Sequence, residues 1–211
     1  MYQGLYAPTQ LKLAMKCPRI LEDETTQAKV VIRRYKREAT VWSSLNHIDI
    51  LPFYGIVEIS STAYLVAPWV AHRDLSKFVA ARLEYLAHFS VSSGSVSDTK
   101  RTAFTAFDEA ATIQGIASGL VYLHPLNVIH GDIKGANVLL NHSHTPLLGD
   151  FGLTKNDEFN ATSPRCGGTA RWMSPGLIED EPRTAKTDIY AFGMTIAETL
   201  NHSISCVPST R

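Results

Sequence analysis

The chain has 211 residues, enough for one large domain or two small lobes with a substantial core. Apolar residues make up 45% and charged residues 19%, the ordinary composition of a soluble globular protein. Lys+Arg and Asp+Glu number 20 each, so bulk charge draws the chain neither to nucleic acid nor to a membrane surface.

Cys17, Cys166 and Cys206 are scattered and lack CxxC spacing, which predicts a reducing compartment and no structural zinc. The opening MYQGLYAPTQ has no basic segment followed by an apolar core, so it is not a signal peptide. No uncharged apolar run approaches the roughly 18 residues needed to span a bilayer. Together these features predict an intracellular, cytoplasmic protein with no membrane insertion, and leave its oligomeric state open.

Along residues 10–17 (QLKLAMKC), Leu11, Leu13 and Met15 alternate with Lys12, Ala14 and Lys16, the pattern of a strand with one buried face, ended by Pro18. Over 29–45, Ile32, Tyr35, Ala39, Trp42 and Leu45 recur at helical spacing, opposite a face of Lys29, Arg33, Arg34, Lys36 and Arg37. That basic face reads as solvated, with nucleic-acid contact as a minor alternative. Residues 51–59 and 63–67 are expected strands joined by a turn at 60–62, and 74–86 is an expected helix. Residues 90–105, rich in Ser and Thr, are expected to be a flexible loop. Helical spacing returns over 108–124, with Asp108 as N-cap. Short strands follow at 138–140 and 146–149. Residues 186–200 are apolar nearly all round and predict a helix buried in a domain centre. Strands with one helix, then mostly helices, make an α+β protein with a small sheet lobe and a larger helical lobe.

Four groups carry chemistry: Lys16 on a strand, Glu38 on the next helix, the loop HGDIKGAN (130–137), and Asp150-Phe151-Gly152. Singly, each has an ordinary explanation: an edge lysine, a surface glutamate, a core histidine, a turn. Together they specify more. A strand pair between Asn137 and Asp150 returns the chain, so an amide oxygen and a carboxylate meet near one point, a pair suited to Mg²⁺. Asp132 can accept a proton from an attacking hydroxyl, while Lys134 and Lys16 offer positive charge to phosphate oxygens. This is the equipment of phosphoryl transfer.

The same residues resemble the eukaryotic protein kinase family, specifically its tyrosine-kinase-like group. LAMK (13–16) is similar to the family's Val-Ala-Ile-Lys strand, HGDIKGAN to its catalytic loop, and DFG (150–152) is identical to its metal-binding tripeptide. GTARWMSP (168–175) resembles the end of the activation loop and TDIYAFG (187–193) the start of the central helix of the large lobe. The likeness runs the length of the chain in order. It implies a two-lobed fold, with an N-lobe over 1–67, a hinge at 68–70 and a C-lobe over 71–211.

By that resemblance, the cofactors are ATP and Mg²⁺ and the partners are protein substrates, with no nucleic acid. Lys16 would pair the α/β-phosphates and be held by Glu38. Asp132 would accept the substrate hydroxyl's hydrogen bond, with Lys134 on the γ-phosphate, and Asn137 and Asp150 would hold the metal. Ala14 and Leu139 would sandwich adenine, Ala67 would back the pocket, and Pro68 and Val70 would offer hinge backbone groups. Thr169 would buttress Asp132 and Asp188 would bond the catalytic-loop backbone. Residues 154–169 would be the activation loop, with Thr162 and Ser163 as candidate phosphosites. Lys134, two residues after Asp132, favours Ser/Thr over Tyr as acceptor.

Three departures from the family pattern shape the expectation. Residues 1–4 resemble the end of the strand after the glycine-rich loop, and Arg211 falls just past the central helix, so the domain is expected to be truncated at both ends. Gly176 stands where the family usually has Glu. Gly131 replaces an Arg that many members use to grip an activation-loop phosphate, which predicts a weaker response to loop phosphorylation. The functional expectation is a protein Ser/Thr kinase. The alternative is a non-catalytic pseudokinase fragment acting as a protein-binding module.

Overall fold

The alternation of Leu11, Leu13 and Met15 builds strand β2 (Leu11–Lys16) in a computed structural model that describes residues 1–18, 26–89, 102, 104–154 and 170–201. β1 (Tyr2–Tyr6) pairs antiparallel on one side of β2 and β4 (Thr62–Pro68) on the other. β3 (Gly55–Ile59) completes the order β1-β2-β4-β3. Apolar periodicity predicted nothing for β1, whose residues are mostly exposed and do not alternate. The β2–β4 register sets Ala14 opposite Ala67 and Lys16 opposite Leu65.

The strand expected over 51–59 is shorter than the sequence suggested. Pro52 has no N–H for a ladder, and Gly55 turns the chain at φ +121°, a conformation open to glycine without strain. The hairpin to β4 turns on Ser60 and Ser61, both left-handed at φ 49° and 62°, as in the type I′ turns that match strand twist.

The amphipathic pattern becomes α1 (Thr26–Ser43), which buries Glu38, Ala39 and Trp42. The Trp42 indole donates to the Leu51 carbonyl at 2.6 Å, and its ring centroid lies 5.0 Å from Phe53 and 6.2 Å from Phe151. The Tyr35 hydroxyl accepts from Leu65 N–H at 2.8 Å and lies 2.6 Å from the Lys16 carbonyl, tying α1 to the two central strands.

A second, three-stranded sheet follows: β5 (His72–Asp74), β6 (Val138–Leu140) and β7 (Pro146–Leu148), in that order and antiparallel throughout. Around it pack α2 (Leu75–Phe89), α3 (Glu109–Leu123), the short α4 (Pro175–Ile178) and α5 (Ala185–Asn201). Asp108 caps α3 as expected, accepting from Ala111 N–H at 2.9 Å. One core cluster runs from Trp42 and Leu45 through Leu148, Ile116 and Leu120 to Ile133. Leu123, Val138 and Leu140 are fully buried, each worth about 1.5–3 kcal/mol of transfer free energy.

Two expectations need correction. α5 is not buried all round: Ile189, Tyr190 and Leu200 are exposed, while Asp188, Thr195 and Thr199 face inward. The two threonines satisfy their hydroxyls on the carbonyls one turn back, at 2.9 and 2.8 Å, and so can be buried at little cost. Phe104 and Thr105, at the end of the loop expected over 90–105, are helical, and Phe104 packs on Phe78 and Tyr85. The rest of that loop, except Thr102, lies outside the described residues. So do Thr162, Ser163, Cys166, Thr169 and Cys206. Cys17 is unpaired.

Candidate active site

Lys16 ends β2, Glu38 faces it from α1, and Asp150 follows β7. The fold brings the three together: Lys16 Nζ lies 2.6 Å from Glu38 Oε1 and 2.8 Å from Asp150 Oδ1. Burial works against the Lys16 ammonium, yet Asp150 and Glu38 hold its pKa above the ordinary lysine value. Burial likewise opposes the Asp150 charge, but Lys16 pulls that carboxyl below its usual range. Glu38, the most enclosed of the three, is pushed up by burial, and Lys16 offsets only part of that. Asp150 holds a left-handed backbone (φ 64°) between β7 and the turn Phe151–Leu153.

The loop 130–137 packs its anchor inward and its polar groups together. His130 is fully buried; its Nδ1 accepts Asp132 N–H at 3.3 Å, which leaves Nε2–H to donate to the Gly149 carbonyl at 3.0 Å. Phe151 fills the space between the His130 ring, at 5.1 Å, and Trp42 of α1. One oxygen of Asp132 takes Lys134 Nζ at 2.7 Å and Asn137 Nδ2 at 2.8 Å. The other, Oδ1, is buried and has no hydrogen-bond partner among the described residues. A buried bare carboxylate oxygen is costly unless something donates to it, so this atom is open to a hydrogen-bond donor.

Asn137 and Asp150 come close because Gly149 N–H donates to the Asn137 carbonyl at 3.0 Å, alongside the β6–β7 ladder. Both Asn137 amide hydrogen bonds run to Asp132, so its side-chain oxygen is the atom available to a cation. Among the described residues no three His, Cys, Asp or Glu side chains form a metal site. An amide oxygen and a carboxylate suit Mg²⁺, which completes its shell with water and phosphate oxygens.

Two of the expected adenine-facing residues are neighbours. Ala14 and Ala67 are cross-strand partners on β2 and β4, and Leu139 lies on β6. Trp69 N–H is taken by the Lys12 carbonyl at 3.0 Å, whereas Val70 makes no backbone hydrogen bond among the described residues. Pro68 ends β4, opposite Leu13.

Asp188, at the start of α5, secures the loop from below. Its carboxylate accepts His130 N–H at 2.9 Å and Gly131 N–H at 2.8 Å, with His124 Nε2 at 3.1 Å. Residue-level reading missed two supports. Glu198 of α5 accepts from Gly135 N–H at 3.1 Å and Trp172 Nε1 at 3.2 Å, and also from Ser76; a carboxylate near the end of so apolar a helix was the signal that could have found it. Arg183 donates to the Gly131 carbonyl at 3.3 Å, and nothing in the sequence marks it out.

A two-lobed α+β architecture with this loop geometry defines the class, and comparison with known proteins agrees. The family described as protein tyrosine and serine/threonine kinase matches residues 2–210. Mitogen-activated protein kinase kinase kinase zak-1 of Caenorhabditis elegans is 32% identical over 175 residues, covering 80% of this chain and 22% of that protein. Mitogen-activated protein kinase kinase kinase 13 of Mus musculus is 36% identical over 160 residues, 76% of this chain and 15% of the relative. Serine/threonine-protein kinase dst2 of Dictyostelium discoideum is 30% identical over 204 residues, 93% and 16% respectively. The chain belongs to the eukaryotic protein kinase family, of the tyrosine-kinase-like kind. It spans less than a quarter of the length of these three relatives.

Proposed function

We propose that this chain transfers the γ-phosphoryl group of ATP to serine and threonine hydroxyls of proteins. The observation that carries the reading is the Lys16 ammonium held between Glu38 and Asp150, beside a loop whose Asp132 keeps one buried oxygen without a partner. In this reading residues 1–67 form one lobe, 68–70 a hinge and 71–211 the other.

Lys16 pairs with the α/β-phosphates, and Glu38 aims it. Ala14 and Leu139 enclose the adenine, with Ala67 behind it and the backbone of Pro68 and Val70 along its edge. Asn137 and Asp150 hold Mg²⁺, which when bound neutralises phosphate charge and orients the phosphates. Asp132 Oδ1 accepts the hydrogen bond of the substrate hydroxyl and aims its oxygen at the γ-phosphorus. As that oxygen bonds to phosphorus, the bond to the β-phosphate oxygen breaks, ADP departs, and the hydroxyl proton passes to Asp132. Lys134, already 2.7 Å from Asp132, neutralises charge on the transferring group. A Lys at this position suits a short Ser or Thr acceptor, and the relative named as a serine/threonine-protein kinase, dst2, supports the preference. No described helix is long and apolar enough to cross a membrane, and Cys17, a free thiol among the described residues, fits the proposed cytoplasmic setting.

The test combines binding and transfer. ATP with Mg²⁺ at about 100 times its dissociation constant stabilises the folded chain by about 2.7 kcal/mol, a shift of several degrees in Tm. Asp132→Asn keeps that shift and loses phosphoryl transfer to a protein acceptor by about 10²–10⁴-fold. Absence of any shift at millimolar ATP rejects nucleotide binding. Transfer that survives Asp132→Asn rejects the assigned base.

A further inference from the structure

Position 131 is conspicuous twice: the family pattern has Arg there, and the backbone has φ +77°, where side chains are strained. A Cβ built on Gly131 would lie 2.8 Å from Arg183 Cδ, 3.1 Å from Arg183 Nε and 2.9 Å from the Leu153 carbonyl oxygen. The space that a side chain would enter is thus already filled by the stem of Arg183, which arrives from the segment between α4 and α5. The head of the same residue turns back to the loop, Nε–H donating to the Gly131 carbonyl at 3.3 Å. Asp188 accepts the Gly131 N–H at 2.8 Å, so the two peptide groups flanking this residue are held from opposite ends. Arg183 and Asp188 also line one small cavity with Gly131 and Asp132. Asp132 and Asp188 attract the guanidinium electrostatically, while Arg34 of α1 repels it.

We propose that Arg183 is a positioning residue for the catalytic loop, supplying from another element the guanidinium that position 131 lacks and clamping the peptide that leads into Asp132. Gly131 and Arg183 are then a matched pair: the arginine fits because residue 131 has no side chain, and the loop is braced because the arginine is there. The brace is permanent, since it is built from residues of the folded lobe and needs no phosphate. An Arg at 131 and the Arg183 stem are alternative occupants of one space. The proposal rests on the kinase reading for its catalytic consequence, but the pairing itself does not.

Arg183→Ala, Gly131→Arg and the double variant are compared in melting temperature and in steady-state phosphoryl transfer. Arg183→Ala lowers kcat about three- to tenfold, the scale of one long charge-assisted hydrogen bond, with KM for ATP within about twofold. Arg183→Lys recovers part of kcat. Gly131→Arg alone lowers Tm, and adding Arg183→Ala raises it again, because the clash is removed. Should Gly131→Arg not fold, Gly131→Ala makes the same comparison in both backgrounds, the strain at φ and against Leu153 cancelling in the cycle. Losses of Tm that merely add would overturn the pairing. An unchanged kcat in Arg183→Ala, or a loss confined to KM, would overturn the positioning role. If the unmodified chain transfers no phosphate, the functional reading fails by itself, and the Tm cycle still decides the pairing.

Discussion

Replacing Lys16 with Met tests the centre of the site without assuming any activity. The substitution keeps a long apolar stem and deletes the ammonium that faces Glu38 at 2.6 Å. Removing one member of a fully buried ion pair costs about 3–5 kcal/mol, because the other charge is left without compensation. The Glu38 side chain is 4% exposed, but those of Lys16 and Asp150 are 29% and 48% exposed, so solvent screens part of the loss. The expected cost is about 1–3 kcal/mol, or about 3–10 °C in Tm for a chain of this size. Its pH dependence carries the mechanism. Burial already holds the Glu38 pKa above the ordinary carboxylate value, and loss of Lys16 raises it further. The folded state then binds a proton that the unfolded state releases, so the variant gains stability as pH falls and loses it as pH rises. Its deficit against the unmodified chain is therefore largest near pH 7.5 and shrinks towards about pH 5. Adding Glu38→Gln relieves the deficit at neutral pH. Urea unfolding across this range is the measurement. A deficit that is absent, or constant with pH and indifferent to Glu38→Gln, refutes the account.

Other outcomes follow from the same contacts. Trp42→Ala removes a nearly buried ring wedged between Phe53 and Phe151 and strands the Leu51 carbonyl, costing about 3–5 kcal/mol in urea unfolding. Asp188→Asn replaces a charged acceptor of two loop N–H groups; kcat falls about tenfold or more while KM for ATP changes little. His72 and His144 stack at 4.8 Å, and His144 Nε2 is buried without a hydrogen-bond partner among the described residues. Burial first, then a neighbouring imidazole (His142 for His72, His72 for His144), holds both below the ordinary histidine pKa of 6.5. The unfolded chain therefore takes up protons first, and stability present above about pH 6.5 is lost as pH falls below it. His144→Phe flattens that slope; a slope that persists in full refutes the assignment.

Much of the site was legible because it is written in short spacings. His130, Asp132, Lys134 and Asn137 lie within one loop, and Asp150 follows a two-strand return, so local geometry alone brings the last two together. The Asp108 cap and the α1 pattern were legible for the same reason, since a cap and an apolar stripe are local devices. Lys16, 134 residues from Asp150, is brought to it only by packing of sheet on helices, and the resemblance supplied what periodicity could not. Where neither helped, the reading failed or fell silent. An apolar helix predicts burial but not which face is buried, so α5 was expected to be enclosed when its inward face is Asp188, Thr195 and Thr199.

The place of Gly131 divides along the same line. By itself the sequence determined that a glycine stands where the family has arginine and that the catalytic carboxylate candidate beside it is intact. Only the tertiary structure decided what that glycine is for. The φ of +77° and the arginine 52 residues away that fills the vacant space are set by long-range contact, which leaves no periodic trace in a chain.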